Sequence, residues 1–381
     1  MKLLYIAGEF GVSNGTNTNM MVHYRALIRI LGKENVFTVD LNSGGKQIET
    51  TESVSYLKPT ALKDKLLRGM QGHTSLMSNK IMRDICDIIR NKNINYVFID
   101  DSLYGKLVKR IKKEFPQITV ATFYHDVKRN LYLQWIKKDG VGAALKRYIP
   151  GLINEKSNAK YSDINITLNS RETKMLRRYY NVDSQLELPV GIAPPAPKNE
   201  FANVFPTDKI NLLFLGAKYY ANMEGIRWFC ENVMPFINAS YHLWIAGKGM
   251  ECLSDELTSN NVTVLGTLDT LSDYYRDCNI VIAPIFDGAG MKVKTAEALA
   301  YGKCFVGTKE AEVGYMEYRP ESCNELFLQC NTAEEFIACL NKLSGKDINK
   351  FNPQISQFFE ANYSLAAIDT KLRSVLPIDK G

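Results

Sequence analysis

The residues best suited to chemistry lie between Ala283 and Thr308. An apolar run ends in Asp287-Gly288-Ala289-Gly290, and a helical pattern opens immediately after it. Glycines let a backbone approach a ligand closely. The free N–H groups and the positive dipole end of a new helix favour a diphosphate. Lys292 and Lys294 add charge near the first turn, and Glu297 stands about two helical turns beyond Gly290, where it could accept hydrogen bonds from ribose hydroxyls. The competing reading is a tight turn with a solvated Glu297, because one glycine loop before a helix is a weak motif.

Other constellations point the same way. Leu213–Phe229 reads as a strand, then Gly216 and Ala217, then Lys218 placed to meet a phosphate. Asn222 reads there as a helix N-cap, and Trp228 and Phe229 as core. Gly266-Thr267-Leu268 follows a strand and precedes a helix. His125 and Asp126 stand at the carboxyl end of another strand, where α/β proteins bind ligands. A histidine there could hydrogen-bond a ligand, handle a proton or anchor a turn. The first loop carries Gly8, Gly11 and Gly15, which is not the G-x-G-x-x-G spacing of a dinucleotide site. Asp100-Asp101 ends a strand, but adjacent carboxylates point in different directions and make a poor metal pair.

Positioning these residues needs alternating strands and helices. Leu3–Ala7, Val36–Val39, Tyr96–Ile99, Thr119–Phe123 and Ile164–Leu168 read as strands, with helices over Met20–Leu31 and Tyr104–Lys113. Residues 43–80 read as an irregular surface excursion. Leu188–Lys198 holds four prolines in eleven residues and reads as a linker. The rhythm then restarts with strands at Ile210–Leu215, Tyr241–Ala246, Val262–Leu265, Ile280–Ala283 and Cys304–Val306. Helices are expected over Asn222–Phe236, Gly290–Tyr301, 333–343, 354–361 and 364–375. Two parallel α/β halves follow from this pattern.

The chain has 381 residues, enough for two domains. Its net charge of +6 is concentrated, since residues 128–160 carry eight lysines and arginines against Asp139 and Glu155. Leu131, Tyr132, Leu133, Trp135, Ile136, Tyr148 and Ile149 are interleaved there, which suits either a helix at an anionic membrane surface or a solvated face. No nucleic-acid module is recognisable. The eight cysteines are scattered without C-x-x-C spacing and read as reduced structural thiols. The opening apolar run is too short for a signal peptide, and no stretch is long enough to span a bilayer. The expectation is a cytoplasmic protein that can associate peripherally with the inner face of the membrane.

The run Gly288–Thr308 resembles the donor-binding signature of glycosyltransferase family four and its GT-B relatives. Leu213–Phe229 is similar to the opening of that family's C-terminal lobe, and Val264–Asp269 to its base-recognition loop. His125-Asp126 looks like the pair that faces the donor sugar. The resemblance implies a GT-B fold: α/β, with two Rossmann-like α/β/α domains facing a central cleft. Residues 1–190 would bind the acceptor and 191–353 the nucleotide sugar, with 354–381 crossing back as helices to the first domain. It implies transfer from a UDP- or GDP-sugar to an acceptor hydroxyl with retention, in bacterial surface polysaccharide or glycoconjugate assembly, without a metal or other cofactor. Glu297 would bind the ribose, and the amides around Gly290, Met291 and Lys292 the diphosphate. Gly216, Lys218, Gly266, Leu268, Asp287 and Lys294 complete the donor set, His125 and Asp126 are the catalytic pair, and Gly11 meets a glycan or lipid-linked acceptor. One departure stands out: the family's first glutamate falls at Ala289, with Asp287 the nearest carboxylate to replace it. A sugar-nucleotide epimerase and a non-catalytic nucleotide-sugar-binding scaffold are the alternatives.

Overall fold

The computed structural model describes residues 1–8, 15–41, 53–56, 72–74, 77–129, 131–133, 136, 148–195, 203–345 and 348–378. They form two compact units: Met1–Pro189 together with Ile368–Gly381, and Val190–Ala367. The first boundary falls inside the proline-rich segment. Proline supplies no N–H for a sheet ladder and blocks a helix, so neither unit can grow through it.

In unit 1 the strands are β1 (Leu3–Gly8), β2 (Val36–Leu41), β3 (Ser53–Tyr56), β4 (Tyr96–Ile99), β5 (Thr119–Tyr124), β6 (Ile164–Thr167) and β7 (Leu186–Glu187). They pair in parallel in the order β3-β2-β1-β4-β5-β6-β7. Helices α1 (Gly15–Leu31), α2 (Asn79–Lys92), α3 (Gly105–Glu114), α4 (Ile149–Tyr161) and α5 (Ser170–Tyr180) connect them. Leu4, Ile6, Val97, Ile99 and Val120 pack under the apolar stripes of α2 and α3. The buried strands read as continuous apolar runs because helices cover parallel sheets on both faces.

Two expectations for this unit are corrected. Ser53–Tyr56 lies within the supposed excursion, yet it pairs with β2 as a strand. Helix α2 was not anticipated, although Ile81, Met82, Ile85, Cys86 and Ile89 form a helical stripe behind a Ser78 cap that accepts from the Ile81 amide.

In unit 2 the strands are β8 (Ile210–Leu215), β9 (Tyr241–Ala246), β10 (Val262–Gly266), β11 (Ile280–Ala283), β12 (Cys304–Gly307) and β13 (Phe327–Gln329). Their parallel order is β10-β9-β8-β11-β12-β13. The helices are α6 (Tyr220–Asn232), α7 (Ser254–Leu257), α8 (Ser272–Asp277), α9 (Val293–Ala300), α10 (Ala333–Ser344) and α11 (Pro353–Asn362). Helix α11 packs on α9 inside unit 2. The following helix, α12 (Leu365–Arg373), carries the chain back, and unit 1 resumes at Ile368 rather than at 354.

Candidate functional site

The glycine loop of unit 2 is built by backbone conformation. Gly288 has φ +145° and Gly290 φ +65°, values that L side chains rarely adopt and no right-handed helix tolerates. Helix α9 therefore begins at Val293, three residues later than expected, with Lys292 extended at its N-cap. The amides of Gly290, Met291 and Lys292 precede the helix, and the free N–H groups of the first turn start at Val293. Met291 is buried, packed against Gly314.

Lys294 is the centre of the cluster. Its Nζ donates to Asn222 Oδ1 at 2.7 Å and lies 4.6 Å from the Phe214 ring centroid. A Cβ on Gly216 would fall 3.0 Å from the same ammonium and 2.8 Å from Asn222 Cγ. Gly216 is thus needed where β8 ends, to let the lysine and the asparagine meet there. Asn222 in turn donates to the Ala217 carbonyl at 2.8 Å. It is not the N-cap of α6: that position is Tyr219, and the Asn222 side chain is spent on the loop and the lysine. Burial pushes Lys294 down to about 7, with Lys292 acting in the same direction and Glu297 opposing.

Glu297 is partly buried and accepts from Tyr275 Oη at 2.8 Å. Burial raises its carboxyl, while the tyrosine hydrogen bond and Lys294 hold it down. Tyr275 stacks on Tyr301 at 4.7 Å between centroids, so the carboxylate is fixed from behind by a packed aromatic pair.

The remaining predicted residues are distributed around this cluster. Lys292 pairs with Glu310 at 2.8 Å and reaches the Gly290 carbonyl at 3.3 Å, so much of its charge is answered within the protein. Asp287 accepts from the Gly288 amide at 2.7 Å and from the Tyr220 hydroxyl. Lys218 is exposed, its amide bonded to the Lys248 carbonyl at 2.8 Å. Gly266 accepts from the Gly247 amide at 2.8 Å, at the point where the β9–β10 register shifts. Leu268 is half-buried two residues on. A cavity of about 580 Å³ on this unit is lined by Tyr220, Glu224, Trp228, Phe286, Asp287 and Thr332 among others. Trp228, read as core, is half-buried in its wall, edge-on to Phe286 at 4.6 Å, whereas Phe229 is fully buried.

In unit 1, His125 stands at the end of β5 and is 6% exposed. Its Nε2 lies 2.9 Å from Asp100 Oδ1, at ion-pair distance but without hydrogen-bond alignment. The other Asp100 oxygen accepts from the Tyr5 hydroxyl and lies 2.8 Å from His23 Nδ1. One fully buried carboxylate thus serves two imidazoles and a phenol. Burial alone would raise Asp100, yet His23 and His125 hold it well below the usual carboxylate range. Asp101 turns away and accepts from the Leu103 amide at 3.0 Å. The backbone after His125 is pinned by two further buried carboxylates: Glu172 accepts from the Val127 amide at 2.7 Å and Glu155 from the Lys128 amide at 2.8 Å. Asp126 is half-buried, 4.0 Å from Lys128 Nζ. Sequence reading missed His23 and weighed Asp100 only as half of a metal pair with Asp101. Nothing in their local spacing joins them, since they lie 77 positions apart and only strand order brings them together. Gly11 lies outside the described residues.

Residues 209–345 match the family profile described as glycosyl transferases group 1. No curated protein sequence matches the chain. Among solved structures, sucrose-phosphate synthase from Thermosynechococcus elongatus is similar at TM-score 0.69 and 15% identity, over 98% of each chain. WaaG, a glycosyltransferase involved in lipopolysaccharide biosynthesis, matches at TM-score 0.65 and 14% identity over 100% of both chains. Anabaena Alr3699/HepE in complex with UDP matches at TM-score 0.65 and 11% identity, over 98% of this chain and 99% of that one. Two parallel-sheet units thus give the chain the GT-B fold of these solved structures, and residues 209–345 match the glycosyl transferases group 1 family.

Proposed function

We propose that the protein transfers a glycosyl group, with retention, from a UDP- or GDP-sugar to the hydroxyl of a glycan or lipid-linked acceptor in surface polysaccharide or glycoconjugate assembly. The bond from the anomeric carbon to the diphosphate oxygen breaks, and a bond to the acceptor oxygen forms. The acceptor proton is released and the nucleoside diphosphate leaves. The observation that carries this reading is the partly buried cluster of Lys294, Asn222 and Gly216 beside the Tyr275-held Glu297. An ammonium next to free helix-start amides stabilises the charge that develops on a leaving diphosphate. A carboxylate fixed one turn along the same helix is placed to accept hydrogen bonds from a pentose diol.

Lys218, exposed at the end of β8, and the Gly266–Leu268 loop would complete donor binding at the phosphate and the base. Lys292 contributes less than its charge suggests, because Glu310 already holds it. Asp287, linked to Tyr220, is the carboxylate available to contact the sugar in place of the glutamate missing at Ala289. His125, with Asp126 beside it, is the group in unit 1 that would hydrogen-bond the sugar or relay a proton, and Asp100 and His23 position it. Cationic side chains and amides supply the electrostatics, so the reading requires no metal. The UDP held by the structurally similar HepE and the lipopolysaccharide role printed for WaaG support the donor class and the setting.

The test is a thermal-shift screen against UDP, GDP and their sugars. One nucleotide series should raise the melting temperature in proportion to the logarithm of its concentration, and Glu297→Ala should abolish the shift while keeping its own cooperative melt. Failure of every nucleotide to stabilise the protein would refute the site.

A further inference from the structure

Two of the eight cysteines lie where β13 runs into α10. Cys330 follows β13 directly and is 3% exposed, and its amide donates to the Gly307 carbonyl at 2.8 Å. Its Sγ lies 3.5 Å from the Glu335 carbonyl oxygen in the first turn of α10. In an α-helix that carbonyl is the acceptor for the amide four residues on, which is Cys339. A thiol seated on the Glu335 carbonyl therefore sits beneath the Cys339 side chain, on the same helix face. Cys339 is half-buried and reachable from solvent, while Cys330 lies behind it.

We propose that Cys330 and Cys339 form a reversible redox site, oxidised by peroxide to a disulfide that closes residues 330–339 into a ring and ties α10 to the end of β13. The Cys339 thiolate attacks one peroxide oxygen. An S–O bond forms, the O–O bond breaks, and the departing hydroxide takes a proton to leave as water. Cys330 then attacks the sulfenic sulfur, so that an S–S bond forms, the S–O bond breaks and a second water leaves. Two thiols are oxidised and one peroxide is reduced to two waters.

The roles follow from the surroundings. The neighbouring Cys330 lowers the Cys339 thiol, with Lys342 on the next turn acting in the same direction against burial. Cys339 in turn, together with burial, raises Cys330. Attacker and resolver are thereby distinguished. The first turn of α10, with Thr332, Ala333 and Glu334, lines the 580 Å³ cavity, so oxidation would fix one wall of it.

The test uses the full-length native protein exposed to graded hydrogen peroxide, then alkylated after denaturation and cut at glutamates. Cleavage beyond Glu334 and Glu335 separates the two cysteines into different peptides. A disulfide would keep these peptides joined until dithiothreitol releases them. The expected result is this linkage in preference to any pairing with the other six cysteines, with loss of two alkylation sites. In Cys330→Ser, Cys339 should be trapped by dimedone as its sulfenic acid; in Cys339→Ser, Cys330 should stay alkylatable. Full alkylation of both thiols at peroxide levels that already oxidise the exposed Cys252 would overturn the proposal. So would a linkage that forms equally well in denaturant.

Discussion

A lysine that titrates near neutrality gives the proposed diphosphate site a pH signature. Lys294 is pushed down to about 7, so ligand-free protein at about pH 6 holds it charged and at about pH 8.5 largely neutral. A bound diphosphate favours the ammonium, so binding above 7 must take up a proton. Affinity should fall by up to about tenfold per pH unit above 7, and Lys294→Met should flatten that slope; calorimetry in buffers of different ionisation enthalpy checks both. The sign for apo stability is opposite. Between the depressed folded value and the ordinary lysine value, the unfolded chain binds the extra proton, so this group's contribution to folding rises with pH.

Asp100 behaves in the reverse sense. Its folded carboxyl is held below the usual range, so its stabilisation is complete above the unfolded value of about 4 and fades as pH falls below it. Asp100→Asn should cost about 3 kcal/mol at neutral pH, because it leaves two buried imidazoles without their shared anion. Urea titrations at pH 7 and in acid would read the gap between the proteins closing. A gap independent of pH would argue against a charged Asp100.

Among the elements, helix placement is set by backbone contact at two glycines. A Cβ on Gly225 of α6 would fall 1.9 Å from the Pro284 carbonyl oxygen, and one on Gly105 of α3 would fall 2.0 Å from the Asn154 carbonyl oxygen. In both cases the obstacle is backbone, which cannot swing aside as a side chain would. Gly225→Ala should therefore destabilise unit 2 by about 1–3 kcal/mol despite its better helix propensity, since overpacking outweighs propensity at such a contact. Because α6 carries Asn222, the same variant should also weaken any nucleotide-induced melting shift. An unchanged melting temperature would show that α6 has room to move. The interior of α4 follows the same principle with polar groups: Asn154 donates to the Gly72 and Pro150 carbonyls at 2.9 and 2.8 Å, and so aligns the helix that carries Glu155.

On the scale of the molecule, the charge has a definite location. Helix α4 turns Ile149, Ile153, Lys156 and Lys160 outward at helical spacing, with Ile153 53% and nearby Leu133 41% exposed. Residues 137–147 of the basic stretch lie outside the described residues. Among the described residues, no helix is long and apolar enough to cross a membrane. Apolar side chains flanked by lysines are the pattern of a surface that rests on anionic headgroups. The full-length protein should float with vesicles containing phosphatidylglycerol at low salt and remain behind with neutral vesicles. Ile153→Glu should reduce flotation without changing the melting temperature, whereas equal flotation of wild type and variant would remove α4 from the membrane face.

What the chain determined by itself was local. Continuous apolar runs announced nearly every inner strand, and prolines from Pro189 onward announced the break between units. The run Gly288–Thr308, with Gly290, Lys294 and Glu297 in it, marked a candidate loop–helix anion site and carried the family resemblance. These are signals of period and backbone permissiveness, which a dozen residues suffice to express. Tertiary structure alone decided which groups answer one another. Lys294 meets Asn222 across 72 positions, Tyr275 meets Glu297 across 22, and His23 meets Asp100 across 77. It also decided that Lys292 turns to Glu310 and that Asn222 leaves the cap position. A hydrogen bond between distant residues depends on strand order and packing angle, and neither is written in the neighbourhood of either partner.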